Sequence, residues 1–304
     1  MRVCVVGAGS IGSLFAAHIA TVTDVLVLTR RADHARALNE EGLHVSGRHE
    51  FTARVTAASD PRDLSDFDLG IIATKAGGLE PAAASLAGRF SGATMMTVLN
   101  GLGAEEVMRA HGDWPLISAV TFMSGTKHSD THVEYILDTA TWMGPYGDTP
   151  FERVKEVADL IADSGLKVEA LPDLLPAQWS KLIFNATVNG VAALTGLRHD
   201  THFAAEDDAS DLGHLVHDLV DEGKRIAAAA GVELHDDPWE MNVLATKRGS
   251  AHYPSMLEDV DARRPTEVEL INGALVREAE RLGVDAPLQT AVYRLVKARE
   301  ASYA

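Results

Sequence analysis

Cysteine is almost missing from this sequence. Cys4 is the only one, so no intrachain disulfide can form and the chain suits a reducing compartment. Cys4 lies in an apolar run and reads as a small buried hydrophobe. Positive charge is also scarce: 27 Lys and Arg stand against 44 Asp and Glu, for a net charge of -17. That excludes a nucleic-acid partner, because phosphate binding needs clustered cations. It does not exclude an anionic small molecule, since a few placed cations decide local binding. Long apolar runs are absent. Glycine and serine interrupt the stretch from Arg2 to Ala20, and no run of about 20 apolar residues occurs elsewhere. Neither a leader peptide nor a membrane span is expected, and the expected location is cytoplasmic. The H-E-x-x-H pattern of zinc enzymes is missing as well. The spaced pairs His128/His132, His199/His202 and His214/His217 lack its companion glutamate, so no metal is expected.

What is present is enough apolar residue for two cores: 46% of 304 residues are hydrophobic. The first half alternates short apolar runs with helical patterns. Residues 3–6, 25–28, 69–73, 94–99 and 116–121 read as buried strands, with helical stretches such as 10–20 and 79–87 between them. Such alternation implies an α/β doubly wound, largely parallel sheet of Rossmann type. Residues 133–143 read as one or two edge strands, 151–163 as a helix and 167–170 as a last strand. Beyond Pro172 and Pro176 strand signals stop, and helical patterns dominate at 178–194, 212–230 and 266–282. The expected division is therefore 1–170, a dinucleotide-binding domain, and 171–304, an all-helical domain carrying substrate and catalytic groups.

Gly7, Ala8, Gly9, Ser10, Ile11 and Gly12 spell G-x-G-x-x-G between a strand and a helix. Gly7 permits the tight turn, Gly9 lets backbone approach a pyrophosphate, and Gly12 lets helix and strand pack closely. The helix amino terminus then offers N–H groups and a positive dipole end to the phosphates. Where an NAD enzyme places an acid at the end of the second strand, this chain has Arg30 and Arg31. An arginine pair suits the 2′-phosphate of NADPH.

In open parallel sheets ligands collect beyond the carboxyl ends of strands. Lys75 and Asn100 stand there. Lys75 reads either as a contact to the cofactor ribose or substrate carboxylate, or as a solvated loop lysine. Asn100, followed by Gly101, reads as a group orienting the nicotinamide end or the substrate, or as a plain turn.

Lys181, Asn185 and Asn189 recur at spacing four, one stripe of a strongly apolar helix. Asn is a poor residue for a helix interior, so two of them on a lysine's face point to a polar site. Hydride delivery to a ketone leaves negative charge on oxygen, which an ammonium stabilises and protonates. Lys181 is accordingly the expected general acid, with Asn185 and Asn189 as hydrogen-bonders of substrate or cofactor. Farther on, Thr266 and Glu269 form a T-x-x-E pattern expected to cap the helix running to Leu282. Glu267 is then free to meet a substrate hydroxyl, Ser255 to meet a carboxylate or hydroxyl, and Asp259 with Arg264 to brace the turn.

Taken in order, Gly7–Gly12, Lys75, Asn100-Gly101, the Lys181/Asn185/Asn189 helix, Ser255–Asp259, Arg264–Glu267 and Asn272-Gly273 resemble ketopantoate reductase, the 2-dehydropantoate 2-reductase family. The resemblance implies NADPH reduction of 2-dehydropantoate to (R)-pantoate in pantothenate and coenzyme A biosynthesis. It also implies a helical domain like that of 6-phosphogluconate dehydrogenase. By motif position it makes Lys181 and Glu267 catalytic, with Asn185, Asn189 and Ser255 on the substrate. The chain departs from the family at Leu99, where Gln is common, and across residues 125–138, which lack the usual glycine-rich character. Two alternatives stay open: a paralogous reductase of another 2-keto acid, and a non-catalytic NADPH-binding sensor. A homodimer is an open assembly.

Overall fold

The computed structural model describes residues 1–204, 210–247 and 253–303. The chain divides into two compact units: Met1–Leu99 with Ala104–Leu174, and Asn100–Gly103 with Leu175–Ala304.

The first unit runs β1 (Val3–Val6), α1 (Ser10–Ile19), β2 (Val25–Leu28), α2 (Ala32–Glu41), β3 (Leu43–Gly47), β4 (Phe51–Ala53), β5 (Thr56–Ala58), β6 (Leu69–Ile72), α3 (Ala76–Leu86), β7 (Thr94–Thr97), α4 (Ala104–His111), β8 (Leu116–Thr121), β9 (Ser124–Ser129), β10 (His132–Leu137), β11 (Thr141–Tyr146), α5 (Phe151–Asp163) and β12 (Val168–Ala170). Among the described residues an eight-stranded sheet has the order β12-β11-β8-β7-β6-β1-β2-β5. Its pairs are parallel except β11 with β8. The central strands β1, β2, β6, β7 and β8 are buried throughout, which is why they read as unbroken apolar runs and not as alternating ones. Strand order reverses between β1 and β6, and the Gly7 turn leaves β1 at that switch point.

A second, four-stranded sheet, β4-β3-β10-β9, was not expected from the sequence. It explains α1. Every residue of α1 from Gly12 to Ile19 is buried, because the small sheet covers the helix opposite the large one. A helix apolar on all sides needs such double cover. The strands that supply it are partly polar, and β9 reads Ser-Gly-Thr-Lys-His-Ser.

The second unit holds α6 (Leu175–Thr195), α7 (Asp211–Ala229), α8 (Pro238–Thr246), α9 (Ser255–Asp261), α10 (Asn272–Leu282) and α11 (Pro287–Ala301). No described helix is long and apolar enough to cross a membrane. The 21-residue α6 is the hub, packing against all five others. Its Gly190 lets α11 come close: a Cβ there would lie 2.5 Å from Val292 Cγ1.

Here one expectation is corrected. Thr266 and Glu269 do not cap a helix, and α10 begins only at Asn272. The Thr266 hydroxyl donates to Glu300 at 2.7 Å and accepts from the Val268 N–H. Glu269 accepts from the Tyr293 hydroxyl and pairs with Lys297. Tertiary partners on α11 took the groups that a local cap would have used.

Candidate active site

The glycine turn has the backbone its sequence demands. Gly7 sits at φ +102°, and a Cβ on Gly12 would fall 1.9 Å from the Gly7 carbonyl oxygen. Side chains at both places are excluded. A Cβ on Gly9 would meet nothing within 4 Å, so the turn's second glycine faces open space. Gly9 is the N-cap of α1, which has no side-chain cap and no acid in its first turn, leaving N–H groups and the positive helix end for an anion. Ser10 and Ile11 begin the helix, half-buried, and Ala8 is buried. The donor set suits a dinucleotide pyrophosphate.

The two arginines after β2 are not equivalent. Arg30 is exposed. Arg31 stands at the residue before α2, pairing with Asp33 at 3.3 Å and with Asp130. Lys75, exposed, stands just before α3.

In the helical unit, three residues far apart in sequence form one chain of hydrogen bonds. Lys181, on α6, is only 5% exposed. Its Nζ donates to Asn100 Oδ1 at 2.8 Å, and Asn100 Nδ2 donates to Glu267 Oε2 at 2.9 Å. Burial pulls the Lys181 ammonium down to about 8, against the raising influence of the Glu267 carboxylate. A lysine near neutrality in pKa is a far better proton donor than a free one. Asn100 reaches this place because the tight turn after it is pinned. Gly101 has φ +98°, a Cβ there would lie 1.8 Å from the Leu270 carbonyl oxygen, and the Leu102 N–H donates to that same oxygen at 3.0 Å.

Farther along α6, Asn189 Nδ2 donates to Asn185 Oδ1 at 2.9 Å. Asn189 is 5% exposed. Its Oδ1 accepts the Met256 N–H at 3.1 Å and the Ser255 hydroxyl at 3.4 Å. Asn189 thus fastens the start of α9 to α6, while Asn185 is half-buried with its amide N–H groups unpartnered among the described residues. Ser255 is exposed at the first position of α9. The expected brace is present: Arg264 Nε donates to Asp259 Oδ1 at 2.9 Å, and Arg264 also pairs with Glu258.

Sequence reasoning passed over three residues beside the glycine turn. Lys127, from β9, donates to the Ala8 carbonyl at 2.7 Å. His34 lies 3.2 Å from Lys127 Nζ, and Asp130 follows in the β9–β10 turn. Burial, then Lys127's charge, lowers the His34 pKa, and burial lowers that of Lys127. Lys127 stood out only as part of a stretch unlike the family, and a lone lysine in a polar strand gives no sign of its target. Among the described residues no cluster of His, Cys, Asp or Glu is placed to hold a metal ion.

Comparison with known proteins agrees over the whole chain. The family model for ketopantoate reductase PanE/ApbA matches residues 3–148, and that for its C-terminal part matches residues 173–300. A 2-dehydropantoate 2-reductase of Streptococcus pyogenes is 30% identical over 306 residues, covering 99% of this chain and 98% of the relative. One of Pyrococcus horikoshii is 28% identical over 300 residues, with the same coverage. Among solved structures, the 2-dehydropantoate 2-reductase of Methylococcus capsulatus has a TM-score of 0.85 at 26% identity, over 100% of this chain and 98% of that one. A D-mandelate dehydrogenase with NADH and anilino(oxo)acetate has a TM-score of 0.89 at 24% identity, over 100% and 99%, a likeness of fold. By both halves of its sequence the chain belongs to the ketopantoate reductase PanE/ApbA family, and it is a 2-keto acid reductase of that family.

Proposed function

We propose that this enzyme reduces 2-dehydropantoate to (R)-pantoate with NADPH, a step toward pantothenate and coenzyme A. The observation that carries the reading is the buried Lys181 ammonium, held by Asn100 on the same amide that holds Glu267.

Residues 1–170 hold the dinucleotide. Gly7, Ala8, Gly9, Ser10, Ile11 and Gly12 take its pyrophosphate, and Arg30 and Arg31 favour a 2′-phosphate over a 2′-hydroxyl. Lys75 lies at the carboxyl end of β6, in the row where Rossmann sheets hold the cofactor ribose. When bound, the reduced nicotinamide supplies a hydride. The residues of 171–304, with Asn100, do the rest. As C2 of the keto acid gains the hydride, the carbonyl oxygen becomes an alkoxide. Lys181 donates a proton from Nζ to that oxygen and is left as a neutral amine, which water reprotonates. Asn100 fixes the ammonium's position so that no reorganisation is needed at that moment. Glu267 favours the charged lysine and offers a carboxylate oxygen to the 4-hydroxyl of ketopantoate. The Asn185 amide and the Ser255 hydroxyl take the substrate carboxylate, and Asn189 keeps both in place.

A second reading has its own support. Leu99 replaces the family's common Gln beside Asn100, which favours a 2-keto acid of different shape. A keto-acid panel followed by NADPH absorbance decides between them. Ketopantoate is expected to give the highest kcat/KM. An aromatic 2-keto acid lacking the hydroxyl should be poor, because Glu267 would lose its partner. No NADPH oxidation with ketopantoate would remove the first reading, and binding of NADPH with no turnover on any keto acid would leave the sensor alternative.

A further inference from the structure

The following inference rests on the NADPH reading and deepens it. In dinucleotide folds the group that reads the adenosine 2′ position stands at the end of the second strand, near the glycine turn. Here that neighbourhood is shared with a hairpin from a distant part of the chain. β9 and β10 meet at a turn holding Asp130. Lys127 Nζ donates to the Ala8 carbonyl, between the first two glycines of the fingerprint, at 2.7 Å. The same Nζ is 3.7 Å from Asp130 Oδ1. Asp130 pairs with Arg31, and its backbone carbonyl meets His34 Nε2 at 2.9 Å. The Asp130 carboxylate is also 3.8 Å from His34 Nδ1. Two cations and a histidine therefore converge on one carboxylate beside the glycine turn. Arg31's other partner, Asp33, is exposed, and exposed pairs contribute little.

A carboxylate and a phosphate have the same sign, and an arginine fork fits either. We propose that Asp130 is an internal stand-in for the 2′-phosphate and that Lys127 is a phosphate-reading cation, so that the β9–β10 hairpin sets the balance between NADPH and NADH. To be held by Arg31 and Lys127, a 2′-phosphate must take them from Asp130, and that carboxylate also repels it. A 2′-hydroxyl can instead donate to Asp130, the task an acid at the end of the second strand performs in NAD enzymes. Asp130 thus favours NADH, while Arg31 and Lys127 favour NADPH.

Direct binding tests this with the full-length protein. Wild type, Asp130→Asn, Asp130→Ala, Lys127→Met and Lys127→Arg are titrated with NADPH and NADH by nicotinamide fluorescence, and with adenosine 2′,5′-bisphosphate by calorimetry. Thermal unfolding checks that each variant is folded, and the paired substitutions at each position guard against one failing. Asp130→Asn and Asp130→Ala should tighten NADPH and the bisphosphate about tenfold and weaken NADH. Lys127→Met should weaken NADPH and the bisphosphate about tenfold with less effect on NADH, and Lys127→Arg should restore them. An unchanged ratio of NADPH to NADH affinity in the folded Asp130 variants overturns the proposal. So does an equal loss of all three ligands in Lys127→Met, which would make Lys127 a mere support of the glycine turn. If wild type prefers NADH and Asp130→Asn still moves the ratio toward NADPH, the cofactor reading fails and this proposal stands. If wild type prefers NADPH and the ratio does not move, the reverse holds.

Discussion

Lys181 donates to Asn100 across 81 positions of sequence, at 2.8 Å, from a side chain that is 5% exposed. A buried ammonium is costly unless its hydrogen bonds are met. Asn100 meets one of them, and burial holds the lysine's pKa below its ordinary value. Glu267, one hydrogen bond farther on, moderates that lowering.

Removing the ammonium should cost the most. Lys181→Ala is expected to lower kcat by about 10²- to 10⁴-fold, the range for a lost general acid, with KM less affected. Undiminished turnover in a folded variant would end the assignment.

The pH profile follows from the same geometry. Lys181 must be protonated to act, so kcat should fall as pH rises through about 8. The Glu267 carboxylate raises that pKa by favouring the charged lysine. Glu267→Gln should therefore shift the alkaline limb to lower pH, besides raising KM for a hydroxylated keto acid. A limb that stays in place would mean the carboxylate is not coupled to the acid.

Asn189 is expected to act as a positioning residue. Its Oδ1 serves the Met256 N–H at the start of α9, as an N-cap would. Asn189→Ala should cost about 0.5–2 kcal/mol of stability and raise KM, while the pH midpoint of kcat stays put. Asn189→Asp, which keeps the acceptor, should recover part of the stability. Calorimetric unfolding and a kcat and KM split measure both.

Gly101 offers a backbone test. Its φ is +98°, and an added Cβ would meet the Leu270 carbonyl at 1.8 Å. Gly101→Ala should destabilise the protein by more than about 1 kcal/mol and lower kcat by displacing Asn100. Wild-type kcat in this variant would show that the turn does not set the asparagine's position.

Much of this was readable in advance where the cause is local. The glycine fingerprint is such a case, since Gly7 answers to its own positive φ and Gly12 to the Gly7 carbonyl five residues back. The buried parallel strands are another, written as apolar runs. The Lys181, Asn185 and Asn189 stripe follows from helical spacing, and the Asn185–Asn189 bond joins neighbours on it. The small sheet was not readable, because β9 is polar and only partly buried, and its pairing with β10 and cover of α1 carry no apolar signal. The start of α10 was misread because Thr266 and Glu269 found partners on α11 in place of the local cap.

By itself, then, the sequence determined the elements whose cause is local: the glycine turn between β1 and α1, the buried parallel strands, and a lysine among asparagines on an apolar helix. Tertiary structure decided which of these groups meet. It put Asn100 between Lys181 and Glu267, which is 167 positions away, set the lysine's acidity through burial, and brought Lys127 to the glycine turn. Spacing along a chain encodes neighbours within an element. Hydrogen bonds and desolvation act through space, and only the folded chain sets those distances.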